Sequence, residues 1–357
     1  MRLDQRRRKL SAAIVATSLV FGACSTQGSA SPTSAASAAP TTVASVARAT
    51  VAPASSAPAS IKAGLTVGFS MPDLSESFWI SVAYGIDTAA KTVGATVVKV
   101  NAGGDANAEQ QINQIQDLIQ RKVDVMIVGA TNADAVKAVV EQAVAAGIPV
   151  VGISSIPNTD KVASAVGADN FGMGKLQAEC LGKALNGKGK VALLAGPPGQ
   201  TWADLRVKGF VDTVKAEFSG IEVLPEDRTA VDRASGLNVM QALIQKDPDL
   251  AGAYTAYDDI GAGAVDAIKA AGKGGRIKVS SSNLSQIGEE LLKSGDLVCE
   301  TTQQVVLQGT EALKAAVTAA SGGQPQKEIT TSAIEVTKDT LASLDFSTIR
   351  APDGYTP

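Results

Sequence analysis

The feature that most constrains this chain is the run Val123-Asp124-Val125-Met126-Ile127-Val128. Almost every side chain in it is apolar, so neither face of such a strand is left for water. That is the pattern of a strand inside a parallel sheet covered by helices on both faces. The neighbouring periodicity agrees. Residues 65–69 read as a strand, and Phe78, Val82, Ile86 and Ala89 then recur at helical spacing. Residues 95–100 read as a second strand, and Ile112, Ile115, Leu118 and Ile119 mark the next helix. A helix is predicted over 133–146 and a strand over 149–153. This alternation implies a doubly wound α/β arrangement.

The pattern then begins again. Strands are predicted at 191–195, 221–224, 251–256, 276–280 and 297–302, and helices at 203–218, 234–245, 260–271, 286–293 and 305–320. An extended stretch near 329–336 precedes a polar tail. Two α/β halves of about 150 residues each fit this length. Open parallel sheets bind ligands beyond the carboxyl ends of their strands. The candidate site loops are therefore 70–77, 154–156, 196–202, 229–232, 257–259 and 281–283.

The first 60 residues have another character. Arg2, Arg6, Arg7, Arg8 and Lys9 form a basic start, residues 10–21 are uncharged and mostly apolar, and Gly22-Ala23 precede Cys24. This is the layout of a secretory signal over 1–23. The apolar run is too short for a bilayer, which takes about 20 residues to span. Phe21-Gly22-Ala23-Cys24 resembles a bacterial lipobox, with Phe21 where leucine is usual, and this implies acylation of Cys24. Residues 24–60 are almost entirely Ser, Ala, Thr, Pro and Val. They lack the large apolar residues needed to build a core and predict a disordered tether. The expected product is exported to the cell envelope and held by lipid on the outer face of the cytoplasmic membrane.

Several function classes drop out. The chain has no histidine, which removes Ser-His and Cys-His nucleophile pairs and every His-based metal site. Three cysteines match no zinc spacing. A net charge of −3 argues against nucleic acid as a partner. Gly196–Thr201 lacks the Lys-Ser/Thr ending of a phosphate loop. No constellation points to an enzyme, a metal or a cofactor.

Other residues keep two readings. Asp258 and Asp259 open a helix, where they cap it or reach a ligand. Phe78 and Trp79 are adjacent, so they cannot both face the core, and one is free to offer a flat apolar platform. Trp202 lies in a Pro/Gly-rich loop, and Arg206 stands one helical turn further on the same face. Cys180 and Cys299 are either small buried apolar residues or, in an exported protein, a disulfide.

With these loops placed, the chain resembles the periplasmic binding proteins of the ribose/galactose type. The resemblance rests on the order and spacing of Ser70 with Phe78-Trp79, Ile148–Val151, Ala168-Asp169-Asn170, Arg206–Phe210 and Gly236–Gln241. It implies two doubly wound lobes joined by three crossovers, near Asp169, Gln303 and Thr331. One lobe would be 64–168 plus 304–331, the other 169–303 plus 332–345. It implies a monomeric receptor that closes on a sugar or polyol and delivers it to the permease of an ABC importer. The alternatives are a sensor subunit for a membrane signalling receptor, or a receptor for a non-sugar small molecule.

Carried onto this chain, the resemblance places ligand contacts at Ser70, Glu76, Phe78 or Trp79, Ser154, Ser155, Arg206, Val231 or Asp232, Tyr257, Ser282 and Gln303. The loop residues Trp202 and Asp258 join them from the pattern itself. Sugar-binding members have Asp-Arg where Ser154-Ser155 stand here, and Asp where Ser282 stands. Arg206 then either grips an anionic group or donates to hydroxyls, with Glu76 and Asp258 supplying acceptors. The second option keeps a carbohydrate as the ligand.

Overall fold

The computed structural model describes residue 62 and residues 64–357. The expected signal peptide, Cys24 and the tether lie outside the described residues. The first lobe begins with β1 (Thr66–Met71), α1 (Ser77–Val93), β2 (Thr96–Asn101), α2 (Ala108–Gln120), β3 (Val125–Val128), α3 (Lys137–Ala145), β4 (Val150–Ile153) and β5 (Ser164–Ala168). The chain then crosses to α4 (Asn170–Ala184), β6 (Lys188–Leu194), α5 (Thr201–Glu217), β7 (Gly220–Asp227) and α6 (Arg233–Lys246). The second lobe continues through β8 (Leu250–Thr255), α7 (Asp258–Ala270), β9 (Lys278–Ser282), α8 (Gln286–Ser294) and β10 (Cys299–Thr302). A second crossing returns it to α9 (Val305–Ala320) and β11 (Glu328–Thr331), and a third carries it to β12 (Ile334–Val336). Two single-turn 3-10 helices follow, Leu341–Ser343 and Phe346–Thr348.

Each lobe holds a six-stranded sheet. The orders are β11-β5-β4-β3-β1-β2 and β12-β10-β9-β8-β6-β7. Only β12 runs antiparallel, beside β10. The order reverses beside β1 and β6, and ligand crevices open at such reversals. The apolar run of β3 divides between two cores. Val125 and Ile127 join the side covered by α1 and α9, whereas Met126 and Val128 join the side covered by α2 and α3. All four are fully buried, which is why the run carries no alternation.

The structure adds details that the periodicity does not carry. β5 is a further strand, and the extended stretch near 329–336 is two strands, one in each sheet. The helix predicted from residue 133 begins at Lys137, because Asn132 Oδ1 accepts the N–H groups of Asp134 and Ala135 and holds a turn there. Cys180 and Cys299 form a disulfide between α4 and β10.

Candidate ligand-binding cleft

A cavity of about 620 Å³ lies between the two lobes. The second lobe supplies its deepest charged group, Arg206, through unusually close packing of α4 on α5. A Cβ on Gly174 would stand 1.8 Å from the Arg206 carbonyl oxygen, and one on Gly209 would stand 2.1 Å from that of Phe171. Only glycine permits this approach. Arg206 is thereby fixed at 2% exposure. Its Nε donates to Asn170 Oδ1 at 3.0 Å, and its Nη1 donates to the Ala256 carbonyl at 2.9 Å and to Asn283 Oδ1 at 3.2 Å. The guanidinium lies 5.0 Å from the centre of the Trp202 ring. Burial pulls its pKa down to about 10, so it stays charged at neutral pH.

Behind Arg206 sit Asp258 and Glu300, both buried. Burial raises both, and Glu300 is pushed well above the carboxylate range by burial and by the Asp258 charge beside it. Asp258 Oδ2 accepts from the Ser285 N–H at 2.5 Å, whereas Asp258 Oδ1 and both Glu300 carboxyl oxygens are buried without a hydrogen-bond partner among the described residues. The cap position of α7 belongs to Tyr257, so Asp258 does not cap the helix.

The first lobe supplies the opposite wall. Trp79 is 5% exposed and its six-membered ring abuts Gly129, where a Cβ would stand 2.1 Å from its Cη2. Phe78 meets Trp79 edge to face at 5.2 Å and is half-buried. Both line the cavity. At its mouth, burial and the carboxylates of Asp105, Asp73 and Asp259 raise Glu76 to about 7. Burial and then Asp73 raise Asp105 to about 6.

The Gln200 side chain bridges the lobes. Gln200 precedes α5, is 4% exposed, accepts from Ser155 Oγ at 3.0 Å and donates to the Thr131 carbonyl at 2.8 Å. Thr131 is held in turn by Gln111 Oε1, which accepts from its N–H and its hydroxyl at 2.8 Å each. At the second crossing, Gln303 donates to Asn283 Oδ1 at 3.4 Å and accepts from Gln308 at 3.0 Å.

Of the residues expected at the site, Glu76, Phe78, Trp79, Ser154, Ser155, Trp202, Arg206, Asp232, Tyr257, Asp258 and Gln303 line this cavity. Val231 lines it too. Asp232 spends its carboxylate on the α6 cap, accepting from the Ser235 N–H and hydroxyl. Ser70 and Ser282 do not line it, which corrects that expectation. Ser70 lies within β1 and accepts from Gln111 Nε2, while Ser282 bonds Thr301 Oγ1 inside the second sheet. Asn283 takes the place expected of Ser282, because its φ of 93° turns the chain out of the strand. Missed as contacts in the sequence were Asp105, Asn170 and the segment Ile349–Gly354, whereas Gln200 and Asn283 were named only as members of the loops 196–202 and 281–283.

The profile of the periplasmic binding protein domain matches residues 67–324. The chain belongs to that family. Its members are transport solute-binding proteins. The chain is 31% identical to the ribose import binding protein of Bacillus subtilis over 75% of its own length and 86% of that protein. It is 30% identical to the xylitol-binding protein of Mycolicibacterium smegmatis, over 77% of its own length and 78% of that one. An ABC transporter solute-binding protein from Burkholderia graminis, solved with D-arabinose, superposes with a TM-score of 0.74 at 27% identity, covering 79% of this chain and 98% of that one. As in this family, the fold is two α/β lobes around a cleft. No helix among the described residues is long and apolar enough to cross a membrane.

Proposed function

We propose that this chain is the extracytoplasmic receptor of an ABC importer and captures a neutral sugar or polyol between its lobes. The observation that carries this reading is the pairing of flat apolar walls with a fixed polar fork. Phe78, Trp79 and Trp202 line the cavity beside Arg206, Asn170 and Asn283. A sugar presents C–H faces that suit aromatic plates and a rim of hydroxyls that suits amides and a guanidinium. The relatives named for ribose import and for xylitol support the same class. Titration calorimetry of the protein against pentoses, hexoses and their alditols tests it. Micromolar or tighter binding of at least one is expected, and binding confined to carboxylates or amino acids would overturn it.

The proposal extends to the membrane. Acylated Cys24 would anchor the receptor as a monomer, with residues 24–60 as its tether, beside the permease it serves. Multiple acyl chains hold firmly where a single chain binds only marginally. In a native host, Cys24→Ala should move the protein from the membrane fraction to the soluble fraction. Equal fractionation of the two forms would reject the anchor.

A further inference from the structure

The family profile ends at residue 324, but an ordered segment beyond β12 returns to the cleft. Residues 349–354 line the cavity, and their neighbours contact both lobes in turn. Arg350 stacks on Phe346 at 4.2 Å and pairs with Glu289 of α8 at 2.5 Å. The next N–H, of Ala351, donates to Ser81 Oγ of α1 at 3.0 Å. Asp353 accepts from Gln286 of α8 at 2.9 Å. Tyr355 then donates to Asp87 of α1 at 2.6 Å and meets Tyr84 edge to face at 5.0 Å. Within ten residues the chain touches second lobe, first lobe, second lobe and first lobe.

We propose that residues 346–355 are a strap that holds the lobes in the closed arrangement and completes the side wall of the ligand cavity. That the cavity holds the ligand rests on the function proposed above; the tie between lobes does not. The segment is joined covalently to the second lobe through β12, and it meets the first lobe at three places: Gln304 donates to Thr348 Oγ1 at 3.5 Å beside the second crossing, Ala351 bonds Ser81, and Tyr355 enters the Tyr84–Asp87 pocket. Opening the cleft must break the last two, which lie on α1. Those contacts add to the Gln200 bridge, which lies between other parts of the lobes. The strap therefore slows release and limits the length of ligand that the closed cavity admits.

The test is the double variant Ser81→Ala/Tyr355→Ala in the full chain. Both changes remove side-chain atoms at the contacts between α1 and the strap, Ser81 being buried and lining the cavity, and leave the strap's backbone unchanged. Small-angle scattering without ligand decides whether the strap ties the lobes. A larger radius of gyration for the variant is expected, and superposable curves for variant and wild type overturn the proposal whatever the sugars do. Stopped-flow fluorescence reads release, since Trp79 and Trp202 line the cavity. With D-ribose or whichever sugar of the panel binds, the dissociation rate should rise about tenfold, the effect expected from losing an aromatic pair and a charge-assisted hydrogen bond. An unchanged rate removes the strap's hold on ligand. If no sugar binds, the functional proposal fails while the scattering result still decides the tie.

Discussion

Reducing the Cys180–Cys299 disulfide should destabilise the second lobe by about 3–5 kcal/mol. The two residues are 119 apart in sequence, and the loop between them contains nearly the whole second lobe, from α4 to β10. Cross-linking a loop of that length removes on the order of 16 cal/mol/K of chain entropy from the unfolded state, or about 5 kcal/mol at 25 °C. The lower bound allows for residual structure in the unfolded chain. For a lobe of this size each kcal/mol moves the midpoint by about 2–4 °C, so a loss of roughly 6–20 °C is expected. Both cysteines are buried, Cys180 at 8% and Cys299 at 0%, so reduction requires opening and should be done in mild denaturant before refolding. Differential scanning calorimetry of the oxidised and reduced forms, with thiols counted in each, is the assay. If the lobes melt separately, only the second-lobe transition should move. Release of two thiols with a shift under about 3 °C would refute the loop-entropy argument.

Arg206→Met should weaken sugar binding by 30-fold or more in calorimetry, because it strands the acceptors on Asn170, Asn283 and Ala256; truncating a buried charged contact costs about 2–5 kcal/mol. Equal affinity would remove Arg206 from the site. Gln200→Ala removes both bonds that bridge the lobes beside Ser155, at about 1 kcal/mol each; the ligand-free protein should scatter as a more open particle, and an unaltered curve would show that the bridge does not hold the cleft. Glu76 has its pKa raised to about 7, so the folded protein holds a proton between pH 4.5 and 7 that the unfolded chain has released. Stability from this group is therefore present at low pH and lost as pH rises through that window, although solvent at the cleft mouth screens the effect. Urea midpoints should fall more between pH 5 and pH 8 in wild type than in Glu76→Gln, and parallel profiles would contradict the assignment.

The strands and helices that position the site were legible wherever periodicity was strong. β3 and β4 are short runs of mostly Val and Ile, and α1 repeats its buried positions at helical spacing. β5 was not legible, because Ser164-Ala165-Val166-Gly167-Ala168 has only one β-branched residue and is made a strand by its neighbours β4 and β11. Asp105 lies just after β2, and the rule that ligands meet the carboxyl ends of strands covers that loop once it is applied to every strand. Ser282 and Asn283 differ by one residue, which in a strand reverses the direction of the side chain. The left-handed turn at Asn283 and Leu284 decides the phase, and spacing does not reveal it. Gln200 is an uncharged amide in a Pro/Gly-rich loop and carries no local signal. The tail did carry one. Phe346, Ile349 and Tyr355 are apolar anchors in an otherwise polar stretch, and Ile349 is 2% exposed.

The electrostatics of the cleft bear on the two chemistries left open for Arg206. An anionic ligand is gripped best by two parallel donors of a free guanidinium fork. Here Nε and Nη1 are already committed to Asn170, Asn283 and the Ala256 carbonyl, which leaves Nη2 without a hydrogen bond among the described residues. The positive charge is also balanced by the buried carboxyls of Asp258 and Glu300. At the mouth, burial and the carboxylates of Asp105, Asp73 and Asp259 raise Glu76, so this rim is a negative field. A carboxylate or phosphate would enter past that acidic rim to meet a guanidinium with most of its donors spent. A hydroxyl asks less. It accepts one N–H from Nη2 and can donate in turn to a carboxylate of the rim, relieving the repulsion that lifts Glu76. The sequence departs from the family's usual carboxylates at Ser154 and Ser282, yet the cleft remains acidic, because Glu76, Asp105 and Asp259 supply carboxylates from loops where the motif does not look for them.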